Sequence, residues 1–81
     1  MTSDEREQYA REVVAELEKR LGHDYWVTSA DWCVLLRWMD QDIPLAIVLR
    51  GLALCKTPKS ICYIQPAVDQ EIRQWNKAMF A

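Results

Sequence analysis

The fold of this chain is decided by residues 29–55, which read Ser29-Ala-Asp-Trp-Cys-Val-Leu-Leu-Arg-Trp-Met-Asp-Gln-Asp-Ile-Pro-Leu-Ala-Ile-Val-Leu-Arg-Gly-Leu-Ala-Leu-Cys55. Two strongly apolar segments meet here across a polar joint at residues 40–42. Pro44 suits the first turn of a helix, because its missing N–H would have no partner there. We therefore predict a helical hairpin that supplies most of the core, with Asp42 or Ile43 as the N-cap of its second helix.

The length and composition favour a single small helical domain. The chain has 81 residues, which is enough for one domain spanning 1–81. Its hydrophobic content of 51% and its four Trp residues can supply a core, while only two Gly and three Pro argue against a turn-rich β protein. We expect an all-α fold.

Two further helices flank the hairpin. Thr2 and Glu5 have capping-box spacing at the start of the first helix, and Gly22 is a natural left-handed terminator at its end. Pro66 indicates the start of the last helix, preceded by a turn at 60–64. The prediction is a small four-helix bundle, with helices at about 3–21, 29–41, 44–55 and 66–79.

Several classes of function are disfavoured by the composition. No stretch reaches the roughly 20 apolar residues of a membrane span, and the acidic N-terminus does not resemble a signal peptide. We therefore expect a cytoplasmic protein with no membrane association. The three cysteines form no Cys-x-x-Cys pair, so we expect reduced, mostly buried thiols, with neither a metal site nor a cofactor.

Catalytic patterns are also absent from the sequence, which holds no glycine-rich phosphate loop and no His-Glu-x-x-His motif. Asp40 and Asp42 fall in the hairpin joint, where loop and capping roles account for them. His23, beside Asp24, is expected to be a solvated loop residue rather than a base. We expect a protein that is not an enzyme.

Protein–protein interaction is the function that the aromatic content favours. Trp and Arg are enriched at interface hot spots, and Trp26, Trp38 and Arg37 are the candidate interaction residues. The helix at 29–41 is apolar around most of its circumference, which is typical of a helix with neighbours on two sides. The alternative that all the Trp rings pack internally remains open, as does an ion pair of Arg37 with Asp40 or with the first helix.

Nucleic-acid binding is the second candidate. Residues 51–81 carry four basic and two acidic side chains, net +2, whereas the whole chain has a net charge of −2. The candidate phosphate contacts are Lys56 and Lys59 in a basic loop, with Arg73 and Lys77 on the last helix.

A family resemblance bears on this second candidate. It rests on the pattern Trp38…Ile43-Pro44-Leu45…Val48…Gly51-Leu52…Ser60-Ile61…Tyr63-Ile64…Trp75. The pattern resembles the helical C-terminal domains of DnaD-type primosomal proteins, and also short uncharacterised bacterial proteins with an Ile-Pro-Leu-x-x-Val-Leu-x-Gly hairpin. The DnaD-like resemblance implies DNA binding or contact with replication proteins through the last helix and its preceding loop. The resemblance implies a binding role only for Lys56, Lys59, Tyr63 and Trp75, and Trp75 is expected to belong to the core instead. Pro66 departs from the family by interrupting the expected helix.

The preferred hypothesis is a non-enzymatic bacterial protein–protein interaction or oligomerisation module that self-associates or binds a protein partner. The alternative is a DnaD-like DNA-associated replication accessory domain.

Overall fold

The computed structural model describes residues 2–80 and, of Phe80, only the backbone. Over that range the chain is all-α, with four helices and no strand. The predicted all-α four-helix bundle is therefore confirmed. The helices are α1 (Ser3–Leu21), α2 (Ser29–Asp40), α3 (Leu45–Leu54) and α4 (Ile61–Phe80).

Local sequence signals set both ends of α1. The Thr2 hydroxyl accepts a hydrogen bond from the Glu5 backbone N–H at 3.2 Å, which satisfies one of the free donors of the first turn. At the other end Gly22 is left-handed with φ 78°, and its N–H donates to the Glu18 carbonyl at 2.8 Å. The predicted bounds of 3–21 are confirmed because both signals lie within the chain segment itself.

The joint between α2 and α3 differs from the prediction. Asp42 adopts φ 54°, a left-handed conformation that its short polar side chain tolerates. Pro44 then occupies the N-cap of α3, and no side chain caps this helix. Neither Asp42 nor Ile43 is therefore the cap, because Asp42 is used to reverse the chain direction.

The packing of α2 and α3 also corrects the predicted hairpin. These two helices are not among the closely packed pairs in residues 2–80; instead α4 packs closely against α3 and also contacts α2. Gly51 explains the preference, because a Cβ atom at this position would lie only 2.7 Å from the Val68 Cα. The absence of a side chain lets α3 and α4 approach each other more closely than two ordinary helix surfaces can.

The predicted start of α4 at Pro66, after a turn at 60–64, is wrong. The helix begins at Ile61 and continues through Pro66. Proline removes one backbone donor, and so the carbonyl four residues earlier, at Cys62, loses its helical partner. Ser60 caps the helix, since its hydroxyl accepts from the Tyr63 N–H at 3.0 Å.

Side chains from all four helices form the core. Arg50 on α3 forms an ion pair with Glu71 on α4 at 3.4 Å. The buried apolar residues are Tyr9, Ala10, Val13, Leu17, Val34, Leu35, Trp38, Met39, Ile43, Val48, Leu52, Ile61, Ile64 and Val68.

Polar contacts attach α1 to the joint between α2 and α3. The Tyr9 hydroxyl donates to the Ile43 carbonyl at 2.8 Å, and Arg6 pairs with Asp40 at 2.7 Å. α1 packs on α3, but it is not closely packed against α2. The molecule measures 40 × 31 × 18 Å, and its smallest dimension corresponds to two helix layers. Because α1 and α2 are not closely packed against each other, a space remains between them.

Candidate functional site

An open groove separates α1 from α2 on the surface of the molecule. Its volume is about 610 Å³. Half of its ten lining side chains are apolar, and charged side chains of α1 stand among them. The lining residues are Ser3, Arg6, Glu7, Ala10, Arg11, Val14, Glu18, Val27, Trp32 and Leu36. We call this surface the α1–α2 groove.

The groove follows one face of α1 for most of its length. Five of the lining residues recur along α1 at steps of four and three, at positions 3, 7, 10, 14 and 18. This spacing defines a stripe along one side of a helix. At 1.5 Å per residue, the stripe from Ser3 to Glu18 is about 22 Å long. The groove has the length of a helix of about four turns.

Both ends of the groove are held by hydrogen bonds. At one end Arg6 on α1 pairs with Asp40, the last residue of α2. At the other end the Tyr25 backbone N–H donates to the Glu18 carboxylate at 2.9 Å. Helix α1 is therefore attached to the end of α2 at one end of the groove and to the segment that precedes α2 at the other, and the groove between them stays open.

Trp32 is the largest apolar side chain of the groove and is 42% exposed. It lies at the edge of the buried face of α2, since Leu35 and Met39, three and seven positions later, are buried, whereas Leu36, four positions later, lines the groove. The apolar surface of α2 is therefore broad, as expected from its sequence. One part of it belongs to the core, and the adjacent part, with Trp32 and Leu36, lines the groove.

A buried carboxylate organises the end of the groove at which α2 begins. Asp31 is only 2% exposed, and it accepts a hydrogen bond from the Thr28 backbone N–H at 3.2 Å. The Thr28 hydroxyl accepts in return from the Asp31 N–H at 3.1 Å, which completes a capping box. Asp31 also accepts from the Tyr25 hydroxyl and, at 3.1 Å, from the Cys62 N–H at the start of α4.

The same group of residues begins α4. The Ile61 N–H donates to the Tyr25 hydroxyl at 3.2 Å, beside the bond from the Cys62 N–H to Asp31. With Ser60 accepting from Tyr63, the first three donors of α4 all have partners. This arrangement leaves the N-terminus of α4 without free donors for a phosphate group.

The protonation states agree with a structural role for this cluster. Burial raises the pKa of Asp31, but hydrogen bonds from Tyr25, Cys62 and Thr28 outweigh it and hold that pKa below the ordinary value. Burial and the bond to Asp31 raise the pKa of Tyr25 to about 12. The bond to Asp31 also raises the pKa of the Cys62 thiol. Such a thiol stays protonated at neutral pH and is a weak nucleophile.

The residues predicted to bind a protein partner are placed very differently from one another. Trp26 is 88% exposed in the segment between α1 and α2, and it does not line the groove. Trp38 is 1% exposed, so it packs in the core and is not available to a partner in the folded chain. Arg37 is exposed and takes part in none of the ion pairs among residues 2–80, because Asp40 pairs with Arg6 instead.

The residues predicted to bind nucleic acid are all exposed, but they do not form one patch. Lys56 and Lys59 precede α4, whereas Arg73 and Lys77 lie in its second half. From Ile61 to Arg73 the helix rises about 18 Å. The Lys59 ammonium lies 5.8 Å from the centre of the Tyr63 ring, a cation–π distance.

The cysteines also differ from the prediction. All three are free thiols, but Cys33 and Cys62 are exposed and Cys55 is only partly buried. Among residues 2–80, no three His, Cys, Asp or Glu side chains come together as a metal site would require. Within the same range, no helix combines the length and the apolar character needed to span a bilayer.

Sequence reasoning did not select Trp32 and Asp31, the two residues that define this region. For Asp31 the Thr28-x-x-Asp31 spacing was an available signal, because an acidic residue three positions after Thr is typical of a capping box. For Trp32 the available signal was the apolar character that extends around most of the circumference of α2. Comparison of the chain with protein-family models, curated proteins and solved structures finds no match. The α1–α2 groove is therefore interpreted from its own geometry.

Proposed function

We propose that this chain is a non-enzymatic protein–protein interaction module that binds an amphipathic helix in the α1–α2 groove. The observation that carries the proposal is the open groove, whose lining positions extend about 22 Å along α1, with an apolar centre at Ala10, Val14 and Leu36 and with Trp32 exposed on one wall. A helix that packs with one apolar face in such a groove buries anchors at every third or fourth position. Trp is also the residue type most enriched at binding hot spots.

The charged side chains of the groove support a macromolecular ligand over a small-molecule substrate. Glu7 and Arg11 pair with each other at 2.6 Å, and Arg6 pairs with Asp40. These groups stand along α1 and do not converge on one point, as the polar groups of a substrate pocket do. They form instead the polar rim that surrounds the apolar centre of an interface.

The two most exposed Trp residues provide a direct test. The probe is a fluorescein-labelled model helix of 15 residues with Leu at every third or fourth position and Lys and Ala elsewhere. We expect saturable binding by fluorescence anisotropy, weakened at least tenfold by Trp32→Glu. Trp26→Glu is the matched control, because Trp26 is more exposed than Trp32 but lies outside the groove.

The proposal fails if the probe does not bind at concentrations up to about 1 mM, where even a weak complex of roughly −4 kcal/mol is half formed. It also fails if Trp32→Glu and Trp26→Glu bind the probe equally well. In that case the binding surface is not the groove.

DNA association, as in the DnaD-like resemblance, is the second candidate. It is supported by the exposed cation–π pair of Lys59 with Tyr63, next to the exposed Lys56. Rings and basic groups in this arrangement can stack on bases and contact phosphates. Retention of labelled single- and double-stranded DNA should fall with salt and with the double substitution Lys56→Glu, Lys59→Glu. DNA retention that changes neither with salt concentration nor with the double substitution would exclude DNA association.

A further inference from the structure

Helix α3 turns an apolar surface toward solvent. Ala46 and Ala53 are exposed, Leu49 is partly exposed, and Leu54 is 61% exposed. Positions 46, 49 and 53 recur at steps of three and four, so they lie on one side of the helix. None of these four residues is among those that pack against the core. We call Ala46, Leu49, Ala53 and Leu54 the α3 face.

The α3 face lacks the polar side chains of an ordinary helix surface. Helix α3 contains a single charged residue, Arg50, and otherwise only apolar residues and Gly51. A helix that is apolar around its whole circumference is normally buried. Here α4 and α1 pack on α3, and the α3 face stays uncovered between them.

The two edges of the α3 face carry opposite charges. At the α1 edge, Glu5 and Glu12 line a shallow depression together with Leu45, the first residue of α3. Neither Glu takes part in the ion pairs among residues 2–80. At the α4 edge, the Arg50 side chain contacts Glu71 through Nε but is 71% exposed. Since a guanidinium has five N–H donors, Arg50 can also bind a second carboxylate.

We propose that the α3 face binds the α3 face of a second copy of this chain, with the two α3 helices parallel. In a two-fold dimer every contact occurs twice. When the two-fold axis runs along α3, the α1 edge of one copy lies against the α4 edge of the other. Arg50 of each copy then meets Glu12 of the other copy.

The charges distinguish this arrangement from the antiparallel one. When the axis runs across α3, the α1 edges face each other, and Glu12 of one copy lies opposite Glu12 of the other. Like charges disfavour that contact, whereas opposite charges favour the parallel one and fix its orientation. Along α3, Leu45 and Arg50 are separated by about 7.5 Å, a distance that the long side chains of Arg50 and Glu12 can bridge.

The size of the interface sets the expected strength of the dimer. Helix α3 is about 15 Å long and about 10 Å wide, whereas a stable interface buries about 800 Å² on each partner. The exposed sides of α1 and α4 beside the α3 face must therefore contribute. The charges on these two sides should accordingly affect the affinity. The proposal does not depend on the α1–α2 groove, because none of the residues of the α3 face lines it.

Ala53→Glu tests the apolar part of the contact by placing a charge in the α3 face. Ala53 is exposed and Glu is a good helix former, so the variant should fold like the unmodified chain. By light scattering coupled to a sizing column, the unmodified chain should rise toward twice the monomer mass with increasing concentration, while Ala53→Glu stays monomeric. Trp26→Glu is the matched control, because it adds the same charge at an exposed position outside the α3 face. It should dimerise like the unmodified chain.

An exchange of charges tests the parallel arrangement. Glu12→Arg places a cation opposite Arg50 of the second copy, and Arg50→Glu places an anion opposite Glu12. Each variant alone should dimerise roughly tenfold more weakly, or worse, than the unmodified chain. In a mixed dimer of the two variants both ion pairs are restored, so the mixture should bind nearly as tightly as the unmodified chain. Circular dichroism spectra check folding. If Arg50→Glu unfolds because of Glu71, Arg50→Ala replaces it and should bind the Glu12→Arg chain more tightly than that chain binds itself.

Four results would overturn the proposal. The unmodified chain could remain monomeric at about 1 mM, or Ala53→Glu could dimerise like the unmodified chain. Glu12→Arg could dimerise with unchanged affinity, as the antiparallel contact predicts, or Trp32→Glu could abolish dimerisation, which would place the contact in the groove. Binding of the model helix separates this proposal from the proposed function, since a monomeric chain that binds the model helix through Trp32 retains a functional groove.

Discussion

Replacing Gly51 by alanine perturbs the close approach of α3 and α4, on which the position of α4 depends. A Cβ atom at this position would lie 2.7 Å from both Cα and Cγ2 of Val68 and 3.0 Å from its backbone nitrogen. Ordinary carbon–carbon contacts are about 3.5–4.0 Å. The added methyl group must therefore push the two helices apart by roughly 1 Å.

The magnitude follows from two opposing effects. Overpacking a core typically costs about 1–3 kcal/mol, and the upper end applies here because part of the clash is with backbone, which cannot rotate away. Alanine in place of glycine returns about 1 kcal/mol of helix propensity. We expect a net loss of about 2 kcal/mol in the free energy of unfolding, which is large for a chain of this length. The melting temperature should fall by about 8–16 °C.

Urea denaturation followed by circular dichroism at 222 nm measures this loss. The matched control is Ala53→Gly, the reverse exchange at an exposed position of the same helix, which should cost about 0.5–1 kcal/mol from propensity alone. In a Val68→Ala background, Gly51→Ala should cost about 1 kcal/mol less, because the Cγ2 contact is gone. The cost should not vanish, since the contact with the Val68 backbone remains.

The refuting result is a Gly51→Ala chain as stable as the unmodified chain, or more stable by the propensity difference measured at Ala53. The two helices would then be separated by an ordinary distance. The alignment of α3 with α4 at Gly51 and Val68 would lose its support as well.

Three further predictions concern the polar cluster, the tyrosines and the proline of α4. Asp31→Ala should lower the free energy of unfolding by about 2–4 kcal/mol, because it leaves buried donors without an acceptor. Although burial alone raises the pKa of Asp31, its hydrogen bonds hold that pKa below 3.8 in the folded state. The contribution of the ionised carboxylate to stability is therefore complete above about pH 4 and is lost as pH falls through its pKa in the folded state. In urea titrations, the difference in stability between the Asp31→Ala variant and the unmodified chain should therefore become smaller only in acid. Burial raises the pKa of Tyr9 and Tyr25 to about 12 from 10.0. The contribution of the two protonated hydroxyls to stability is therefore complete below pH 10 and is lost as pH rises toward 12. Tyr9→Phe should make the urea midpoint fall less between pH 9 and 11.5, and a midpoint that falls as steeply as in the unmodified chain would contradict this role of Tyr9. Pro66→Ala should raise the melting temperature by restoring an N–H to the Cys62 carbonyl, a gain of about 1–3 kcal/mol, whereas a helix that began at Pro66 would show no such gain.

The parts of the fold that could be predicted from sequence are those with local causes. The hydroxyl of Thr2 and the left-handed Gly22 lie next to the ends of α1, and its bounds were predicted correctly. The start of α4 could not be predicted in this way. Tyr25 and Asp31, which accept its first two donors, are about 30 residues away in the sequence. Considered only with its neighbours in the sequence, Pro66 is typical of the first turn of a helix, and it therefore predicts a start later than the one observed at Ile61.

The groove was harder to predict from the sequence than the helices, because its position depends on which helices pack against each other. Sequence alone shows that α2 is apolar around most of its circumference, with a Trp and a Leu both among the core residues and among the groove residues. The close contact of Gly51 with Val68 brings α4 onto α3 and α2, and α4 covers the face containing Trp38. Trp32 is left beside α1, with which α2 is not closely packed. Which of Trp32 and Trp38 is buried therefore depends on Gly51, which lies 19 and 13 positions later in the sequence.

The connections at the ends of the groove bear on how strongly it could bind. A groove that forms only when its ligand arrives must order its walls at that moment, and this ordering reduces affinity. Here the walls are already connected at one end by Arg6 with Asp40 and at the other by Tyr25 with Glu18. The exposed pair contributes at most about 1 kcal/mol by itself, but the buried bond from Tyr9 to Ile43 lies next to it and holds the same end of α1. Because these contacts attach α1 to the end of α2 and to the segment before α2, and leave the groove open between them, the helix proposed as ligand would not have to separate the walls in order to bind.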